Sequence, residues 1–532
     1  MPLLLDLPIE LLDRIVEETI PEDFEAVALS CKLLYSVSTH FLKKYNPRRK
    51  RFRNFAFSRK VNRSKAGWDH VSNDTGFVVP DSRELLERIA AEPELVRYIR
   101  AIDLKWPEEE EEEGYSDGSN GEENERNDES PAEPDERVPL SDTLKQLVYT
   151  YPLLQEFDQD LEDWIHAIEL ATHPADEDEA EVYAECLLLT MLSNLQKISL
   201  PRIWGHKMDP EDSRDSPGVK ALEPILKYLV HRANNPEQFP DSPLSKLKIV
   251  NLTTGIGYEE KYALTAFTSF LAINSVSEVC LSNCIFKDDG YTGSTFQPLF
   301  NSYSHNLRKL ELMASVAGPS ELSELLLRIP NLQIFHFAHE TKWHGCGHDW
   351  NVGAFFATVQ EHCAETLQEL SVCIIEQYGG QGTTLYDMTR FQKLSLLDME
   401  IRMLCGPAYN PSLRHDEEED LPKRSSWPRL VEMLPASIKK LNLYLNDFKD
   451  EKPDCLSHIF QGFKENREAN LPHLQEVTLF SPIVKQPKPP ANVRRALQAV
   501  GDSGVSIVET QNRWPSWVDD FFDRHGFDGV GE

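Results

Sequence analysis

Short segments with apolar residues at their first, fourth and sixth positions recur along most of the chain. The ten segments are Ile99-Ile102-Leu104, Leu195-Ile198-Leu200, Leu247-Val250-Leu252, Val276-Val279-Leu281, Leu307-Leu310-Leu312, Leu332-Phe335-Phe337, Leu367-Leu370-Val372, Phe391-Leu394-Leu396, Ile438-Leu441-Leu443 and Leu474-Val477-Leu479. Positions 4 and 6 of a β-strand point to the same side, and position 1 turns the incoming chain into the core. Each segment therefore predicts one strand that contributes a row of side chains to a shared core.

The segments start 96, 52, 29, 31, 25, 35, 24, 47 and 36 residues apart, which is close to a repeat of 24 to 36 residues interrupted by insertions. Stretches with helical spacing separate them, for example SELSELLLRIPN and VGAFFATVQEHCAET. No such unit can bury its own apolar face, so the pattern predicts an α/β solenoid with a parallel sheet on its concave face, over residues 91–532. The segments resemble leucine-rich repeats. The repeats are irregular, since the Asn or Cys expected at position 9 occurs only as Cys284 and Asn446.

An amphipathic helix is predicted at the start of the chain, in LPIELLDRIVEE (residues 7–18). Pro8, Leu11, Leu12, Ile15 and Val16 fall on one helical stripe, and Pro8 suits the first helical position. A second amphipathic stretch, PEDFEAVALSCKLLYSVSTHFLKK, follows at once and is predicted to start at its proline. So small a unit is only marginally stable alone, so its apolar stripe is expected to need a partner.

The two stretches together resemble an F-box. The family begins L-P-x-E-[IL]-L-x-x-I and continues with a V/S-C-K-x-[FWLY] segment; here these are Leu7 to Leu12 with Ile15, and then Ser30-Cys31-Lys32 with Leu34. The resemblance covers about residues 4–45 and implies a helical domain over residues 1–45. It also implies that this domain docks onto the Skp-type adaptor of a cullin ubiquitin ligase. Carried over by position, the adaptor-binding and core residues are Leu7, Pro8, Ile9, Leu11, Leu12, Ile15, Val16, Cys31 and Leu34.

Two oppositely charged segments follow. Between Lys43 and Lys65 there are eleven bases and no acids, which predicts a basic connector over residues 46–90, with a nuclear localisation signal or a phosphate contact as alternatives. Residues 108–136 contain fifteen acids and one base, which predicts a disordered acidic insertion over residues 107–137. The net charge of -33 argues against a general affinity for nucleic acid or for anionic membranes.

The remaining features narrow the class of protein. The 532 residues suffice for several domains or one long array, and nine scattered cysteines predict reduced thiols rather than a disulfide framework. Neither a signal peptide nor a membrane-spanning segment is expected, so we predict an intracellular protein of the cytoplasm, the nucleus or both. The aromatic segment WPSWVDDFFDRHG is predicted to cap the last repeat within residues 510–532, with a ligand platform as the alternative.

Potential metal ligands are concentrated between residues 336 and 363. His336, His339, His344, Cys346 and His348, followed by His362 and Cys363, could suggest zinc, but their spacing matches no common paired-ligand pattern. We interpret them as a histidine-rich rim of the solenoid and expect no cofactor and no metal. The glycine clusters at 290–294 and 379–384 lack the residues of a phosphate-binding loop.

Three hypotheses remain at this point. The first is a non-catalytic substrate receptor of a Skp-cullin-F-box ubiquitin ligase, in which residues 1–45 bind the adaptor and the solenoid binds a protein target. The second is a leucine-rich-repeat scaffold outside ubiquitination. The third is a metal-dependent hydrolase that uses the histidine cluster.

Overall fold

The computed structural model of the chain divides into two compact units, Met1–Trp204 with Arg214–Leu247, and Gly205–Ser213 with Lys248–Glu532. The residues that the structure describes are 4–57, 71–72, 76–79, 81–104, 139–156, 161–170, 177–201, 204, 217–252, 256, 260–286, 296–342, 350–377, 387–405, 427–445, 453–481 and 491–525. The predicted acidic insertion and both glycine clusters lie outside these residues.

Three helices open the first unit: α1 (Ile9–Glu18), α2 (Phe24–Ser30) and α3 (Lys32–Phe52). Pro8 precedes α1 in an extended conformation, and its carbonyl accepts hydrogen bonds from the amides of Leu11 and Leu12. The second predicted stretch is not one helix starting at its proline, because Cys31 has extended backbone angles (φ -159, ψ 164) and separates α2 from α3. Phe24 is fully buried where these helices meet, 4.5 Å from the Tyr45 ring.

The rest of the first unit combines a small sheet with six helices. Its strands are β1 (Asn54–Phe57), β2 (Val71–Ser72), β3 (Gly76–Val79), β4 (Ala101–Asp103) and β5 (Lys197–Ser199). Its further helices are α4 (Ser82–Ala91), α5 (Asp142–Thr150), α6 (Pro152–Glu156), α7 (Leu161–Leu170), α8 (Glu177–Met191) and α9 (Pro217–Ala233). The strand order is β5-β4-β1-β3-β2, parallel except for β2. Residues 46–90 are therefore not a connector, because their described part contributes the end of α3, three strands and α4.

The described strands of the second unit are β6 (Ile249–Leu252), β7 (Tyr262–Ala263), β8 (Glu278–Ser282), β9 (Cys284–Phe286), β10 (Lys309–Ala317), β11 (Ile334–Glu340), β12 (Glu369–Glu376), β13 (Leu396–Glu400), β14 (Lys440–Tyr444), β15 (Glu476–Ser481) and β16 (Ser506–Gln511). All of them except β7 and β9 form a parallel sheet in the order β16-β15-β14-β13-β12-β11-β10-β8-β6, and β9 pairs with β7 and with β10. Its helices are α10 (Thr268–Leu271), α11 (Pro319–Leu326), α12 (Val352–Cys363), α13 (Arg402–Cys405), α14 (Leu430–Met433), α15 (Pro453–Ile459), α16 (Phe463–Asn470), α17 (Ala491–Gly501) and α18 (Ser516–His525).

The two faces of this sheet differ in composition. One face, here called the core face, carries leucine, valine and phenylalanine side chains in rows, since Leu310 lies beside Val279 on one neighbouring strand and beside Phe335 on the other. Helix α12 packs against this face, with the Phe355 ring 4.7 Å from that of Phe337. The opposite face, here called the polar face, carries Glu311, His336, Ser371 and Asp398.

Nine of the ten predicted segments coincide with strands in the predicted register, and all of their residues at positions 1, 4 and 6 are buried. The tenth is displaced by three residues, because β13 places Leu394, Leu397 and Met399 where Phe391, Leu394 and Leu396 are predicted. Burial of each large apolar side chain contributes about 1.5–3 kcal/mol. The α/β class and the parallel sheet are therefore confirmed, and the strands β1, β2, β3, β7, β9 and β16 were not predicted.

Candidate partner-binding surface

An unusual number of apolar side chains remain exposed on the first three helices. Seven of the ten exposed large hydrophobic residues in the described parts of the chain lie between residues 4 and 35. They are Leu4, Leu5, Ile9, Leu11, Leu29, Leu33 and Tyr35, and together they are called the N-terminal apolar surface. So many exposed apolar side chains within one short segment make this segment the candidate for contact with a partner.

The predicted binding residues divide into three groups by exposure. Ile9 (59%) and Leu11 (48%) are exposed large apolar side chains, and Pro8 is exposed as well. Leu7, Ile15 and Cys31 are half-buried. Leu12, Val16 and Leu34 are at most 3% exposed. Of the residues predicted to bind the adaptor or to form the core, the last three are therefore core residues of the helical unit.

Exposed apolar residues on both sides of Cys31 were not predicted from the sequence. Leu29 is 75% exposed, and Leu33 and Tyr35 are 40% and 50% exposed. A single continuous helix places Val27 on one stripe with Leu34 and Tyr35, but the extended backbone at Cys31 separates α2 from α3 and resets the helical phase between them. The strongest available signal was the excess of apolar residues over what so short a unit can bury.

Ionic contacts fix the three helices within the first unit. Arg97 donates two hydrogen bonds to the Glu22 carboxylate, at 2.9 and 2.7 Å, and Asn194 donates a third at 3.1 Å. Arg48 donates to Glu92 and Glu94 at 2.9 and 3.1 Å. Part of the predicted basic segment therefore lies in a helix and is engaged in intramolecular ion pairs.

A buried ionic network lies on the polar face of the second unit. The His336 ring is hydrogen-bonded to Glu311 at 2.9 Å and to Glu369 at 2.8 Å, and Lys309 lies 3.0 Å from Glu311. Burial alone would lower the pKa of His336, but the two carboxylates outweigh it and raise the pKa. Burial would raise the pKa of Glu311, but His336 lowers it to about 2. The two carboxylates therefore favour the protonated form of the imidazole.

The C-terminal helix α18 covers this network. Its Trp517 ring stacks on His336 with 5.0 Å between ring centroids, and the indole N–H donates to the Ser371 hydroxyl at 2.7 Å. Trp514, Val518 and Phe521 pack with Met313 and further small side chains of the polar face. The aromatic segment is therefore not a cap on the last repeat, because its apolar side chains pack on the middle strands β8 and β10–β12.

A second buried ion pair lies at the end of β11. Lys342 is 1% exposed, contacts the Glu340 carboxylate and donates to Asn283 Oδ1 at 2.6 Å. Burial lowers the pKa of Lys342 and raises the pKa of Glu340. Both groups are part of the interior of the second unit rather than of an accessible site.

The histidine-rich segment contains no metal site in the part of it that the structure describes. No group of three or more His, Cys, Asp or Glu side chains is arranged to hold a metal ion among the described residues. His336 projects from the strand face opposite Phe335 and Phe337, as alternation predicts, but it is buried under Trp517. His344, Cys346 and His348 lie outside the described residues.

Comparisons with known proteins place the chain in no family. No family model matches the sequence, and no curated protein is detectably similar to it. Among the helices that the structure describes, none has the length and apolar character needed to cross a bilayer. The six cysteines whose surroundings are described, Cys31, Cys186, Cys280, Cys284, Cys363 and Cys373, are free thiols.

Proposed function

We propose that the chain is the substrate-recognition subunit of a Skp-cullin-F-box ubiquitin ligase. The observation that carries the proposal is the N-terminal apolar surface, which lies on the helices whose sequence resembles an F-box. Apolar side chains on short helices bind a partner by inserting into an apolar groove. The Skp-type adaptor is the proposed partner.

The strand array is the proposed target-binding part, an irregular leucine-rich-repeat solenoid. Its parallel strands repeat one unit along the chain, and repeat arrays of this kind present extended binding surfaces. The central part of the polar face is occupied by α18, so the target surface is proposed on the remaining faces and loops of the array. Catalysis would then be proximity alone, since a tethered target meets the ubiquitin carrier at a raised effective concentration.

Co-expression with a Skp-type adaptor and a cullin tests the proposal. We expect the three proteins to co-elute from a sizing column, and absence of a complex at about micromolar concentration would remove the ligase assignment. Affinity capture from cells with the proteasome blocked then tests the target-binding half. We expect ubiquitin-modified proteins that are lost when the N-terminal apolar surface is mutated, whereas proteins captured without ubiquitin would favour the scaffold hypothesis.

A further inference from the structure

A basic cleft in the first unit has no role in the proposed function. It encloses about 300 Å³, a volume within the range of small-ligand sites. Four cations line it, Arg49, Arg53, Arg100 and Lys246, together with the rings of Tyr45 and Tyr98. The ring centroids of the two tyrosines are 6.2 Å apart, so the cleft has an aromatic wall as well as a charged one.

The backbone brings two of these arginines side by side. Arg53 immediately precedes β1 and Arg100 immediately precedes β4, and the two strands pair in parallel with Asn54 opposite Ala101. The Arg100 amide donates to the Arg53 carbonyl at 2.8 Å. Neighbouring parallel strands are about 4.8 Å apart, and like charges directly opposite each other are destabilising. The strand pairing therefore places Arg53 and Arg100, two like charges, next to each other, where they repel.

The carboxylates of the cleft compensate little of this charge. Glu25 forms an ion pair with Arg49. The Glu22 oxygens already accept hydrogen bonds from Arg97 and Asn194. Only Asp23 remains as an additional lining carboxylate.

The other three cations have only neutral contacts among the described residues. Arg100 donates to the Asn194 carbonyl at 3.5 Å, and Lys246 donates to the Asn194 side-chain oxygen at 2.7 Å. No ion pair joins Arg53, Arg100 or Lys246 to a carboxylate within the described part of the chain. The pKa of Arg100 is lowered by burial, with Glu22 and Tyr45 opposing and Arg53 and Arg49 adding to the effect. The cleft thus holds three cations that are offset by Asp23 alone among its lining carboxylates, and an added anion would neutralise the remaining positive charge.

We infer that this cleft binds a small anion carrying two or more phosphate groups. Arginine binds phosphate through paired N–H donors, and three cations match the charge of a diphosphate better than that of a single carboxylate. The small enclosed volume and the carboxylates of Asp23 and Glu25 disfavour an extended polyanion such as nucleic acid. The anion would join the end of α3 to the starts of β4 and β5, because Arg53, Arg100 and Gln196 line the cleft at these places.

Calorimetric titration of the full chain with pyrophosphate and with sulfate, at low salt, tests the inference. We expect pyrophosphate to bind and sulfate to bind at least about tenfold more weakly. The double variant Arg53→Gln/Lys246→Gln is expected to lose about tenfold or more in pyrophosphate affinity, since hydrogen bonds to charged groups are lost. The control Lys145→Gln/Lys227→Gln removes the same charge elsewhere in the first unit and is expected to bind as the wild type does.

A thermal scan separates a ligand role from a structural one. Without added phosphate, Arg53→Gln is expected to unfold at no lower temperature than the wild type, because it removes a repulsive neighbour of Arg100. With pyrophosphate, only the wild type and the control double variant are expected to gain stability. Absence of binding up to about 1 mM pyrophosphate, equal binding by both double variants, or tighter binding of a phosphoserine peptide than of pyrophosphate would overturn the inference. These outcomes do not depend on whether the adaptor binds.

Discussion

Trp517 stacks on His336 across the polar face of the second unit, with 5.0 Å between ring centroids. The two residues belong to α18 and β11, so one aromatic contact fastens the C-terminal helix to the middle of the sheet. The same indole donates to Ser371 at 2.7 Å. The helix is thus held by apolar packing, by ring stacking on His336 and by one buried hydrogen bond.

Truncation of Trp517 should release α18. We expect Trp517→Ala to cost about 3–5 kcal/mol, because a buried aromatic side chain is removed from a packed site. The measurement is limited trypsin proteolysis, in which cleavage after Arg513 should become much faster. Trp517→Phe is the matched control, since it keeps an aromatic ring and loses only the hydrogen bond, at about 0.5–1.5 kcal/mol. Equal cleavage rates for the alanine variant and the wild type would contradict the role of the stack.

The stability of the polar face should depend on pH, and more so on the alkaline side. The folded state raises the pKa of His336 above 6.5, so this contribution is fully present below pH 6.5 and is lost as the pH rises through the raised value. Asp398 acts in the same direction, because burial raises its pKa from 3.8 to about 6 and disfavours the ionised form. Glu311 acts oppositely, and its contribution is lost as the pH falls from 4.5 toward about 2.

The expected result is a maximum of stability near pH 4 to 4.5 for the docking of α18, because the contribution of Asp398 is lost above its unfolded pKa of 3.8 and that of Glu311 is complete above its unfolded pKa of 4.5. Proteolysis after Arg513 across a pH series, corrected for the activity of the protease on a peptide, measures it. His336→Gln should flatten the decline above neutral pH, because the titrating imidazole is absent. A decline of the same size in the variant would show that other groups cause it.

Truncation of two neighbouring leucines in α1 should affect the stability of the first unit very differently. Leu12 is 1% exposed and Leu11 is 48% exposed. We expect Leu12→Ala to destabilise the first unit by about 2–5 kcal/mol through a cavity in the core. Leu11→Ala should change stability by no more than about 0.5 kcal/mol. Thermal unfolding followed by circular dichroism checks both, and equal effects would mean that α1 is packed differently.

The buried residues Lys342 and Glu340 should be coupled in their contribution to the free energy of unfolding. We expect Lys342→Ala to cost about 3–5 kcal/mol, because a buried carboxylate loses its counterion. The double variant Lys342→Met/Glu340→Leu should be less damaging than Lys342→Ala, since it removes both charges and keeps the volume. Urea unfolding of the wild type, Lys342→Ala, the single variants Lys342→Met and Glu340→Leu, and the double variant measures the difference. A double variant whose loss of stability equals the sum of the losses of Lys342→Met and Glu340→Leu would contradict the coupling.

Much of the strand array could be predicted because its signal is local. Each strand needs apolar residues at three close positions, and Leu310 or Val372 meets that need whatever the distant sequence does. The error at β13 arose because the apolar run from Phe391 to Met399 fits the pattern in two registers. Packing decided between them, since Leu397 and Met399 are fully buried and Leu396 is only half-buried.

The position of α18 could not be predicted from the sequence. Trp517 and its acceptor Ser371 are 146 residues apart, and nothing near Trp517 specifies a polar strand face as its site. The ionic triad is similar, because Glu311 and Glu369 flank His336 only once the strand register is known. The N-terminal apolar surface was partly predicted: Ile9 and Leu11 were among the predicted residues, whereas Leu4 and Leu5 precede α1 and Leu29, Leu33 and Tyr35 flank Cys31, where the helix is interrupted.

Adaptor binding by surface variants tests the central claim most directly. The full chain would be titrated with a purified Skp-type adaptor, alongside Ile9→Asp/Leu29→Asp and the control Leu327→Asp, which alters an apolar residue of the second unit that is 61% exposed. All three proteins should keep the same circular dichroism spectrum, because the altered side chains are exposed. The account predicts that the wild type and Leu327→Asp bind equally, and that Ile9→Asp/Leu29→Asp loses about a hundredfold or more in affinity, the effect of losing central apolar anchors. Equal binding by all three proteins, or no binding by any, would contradict it.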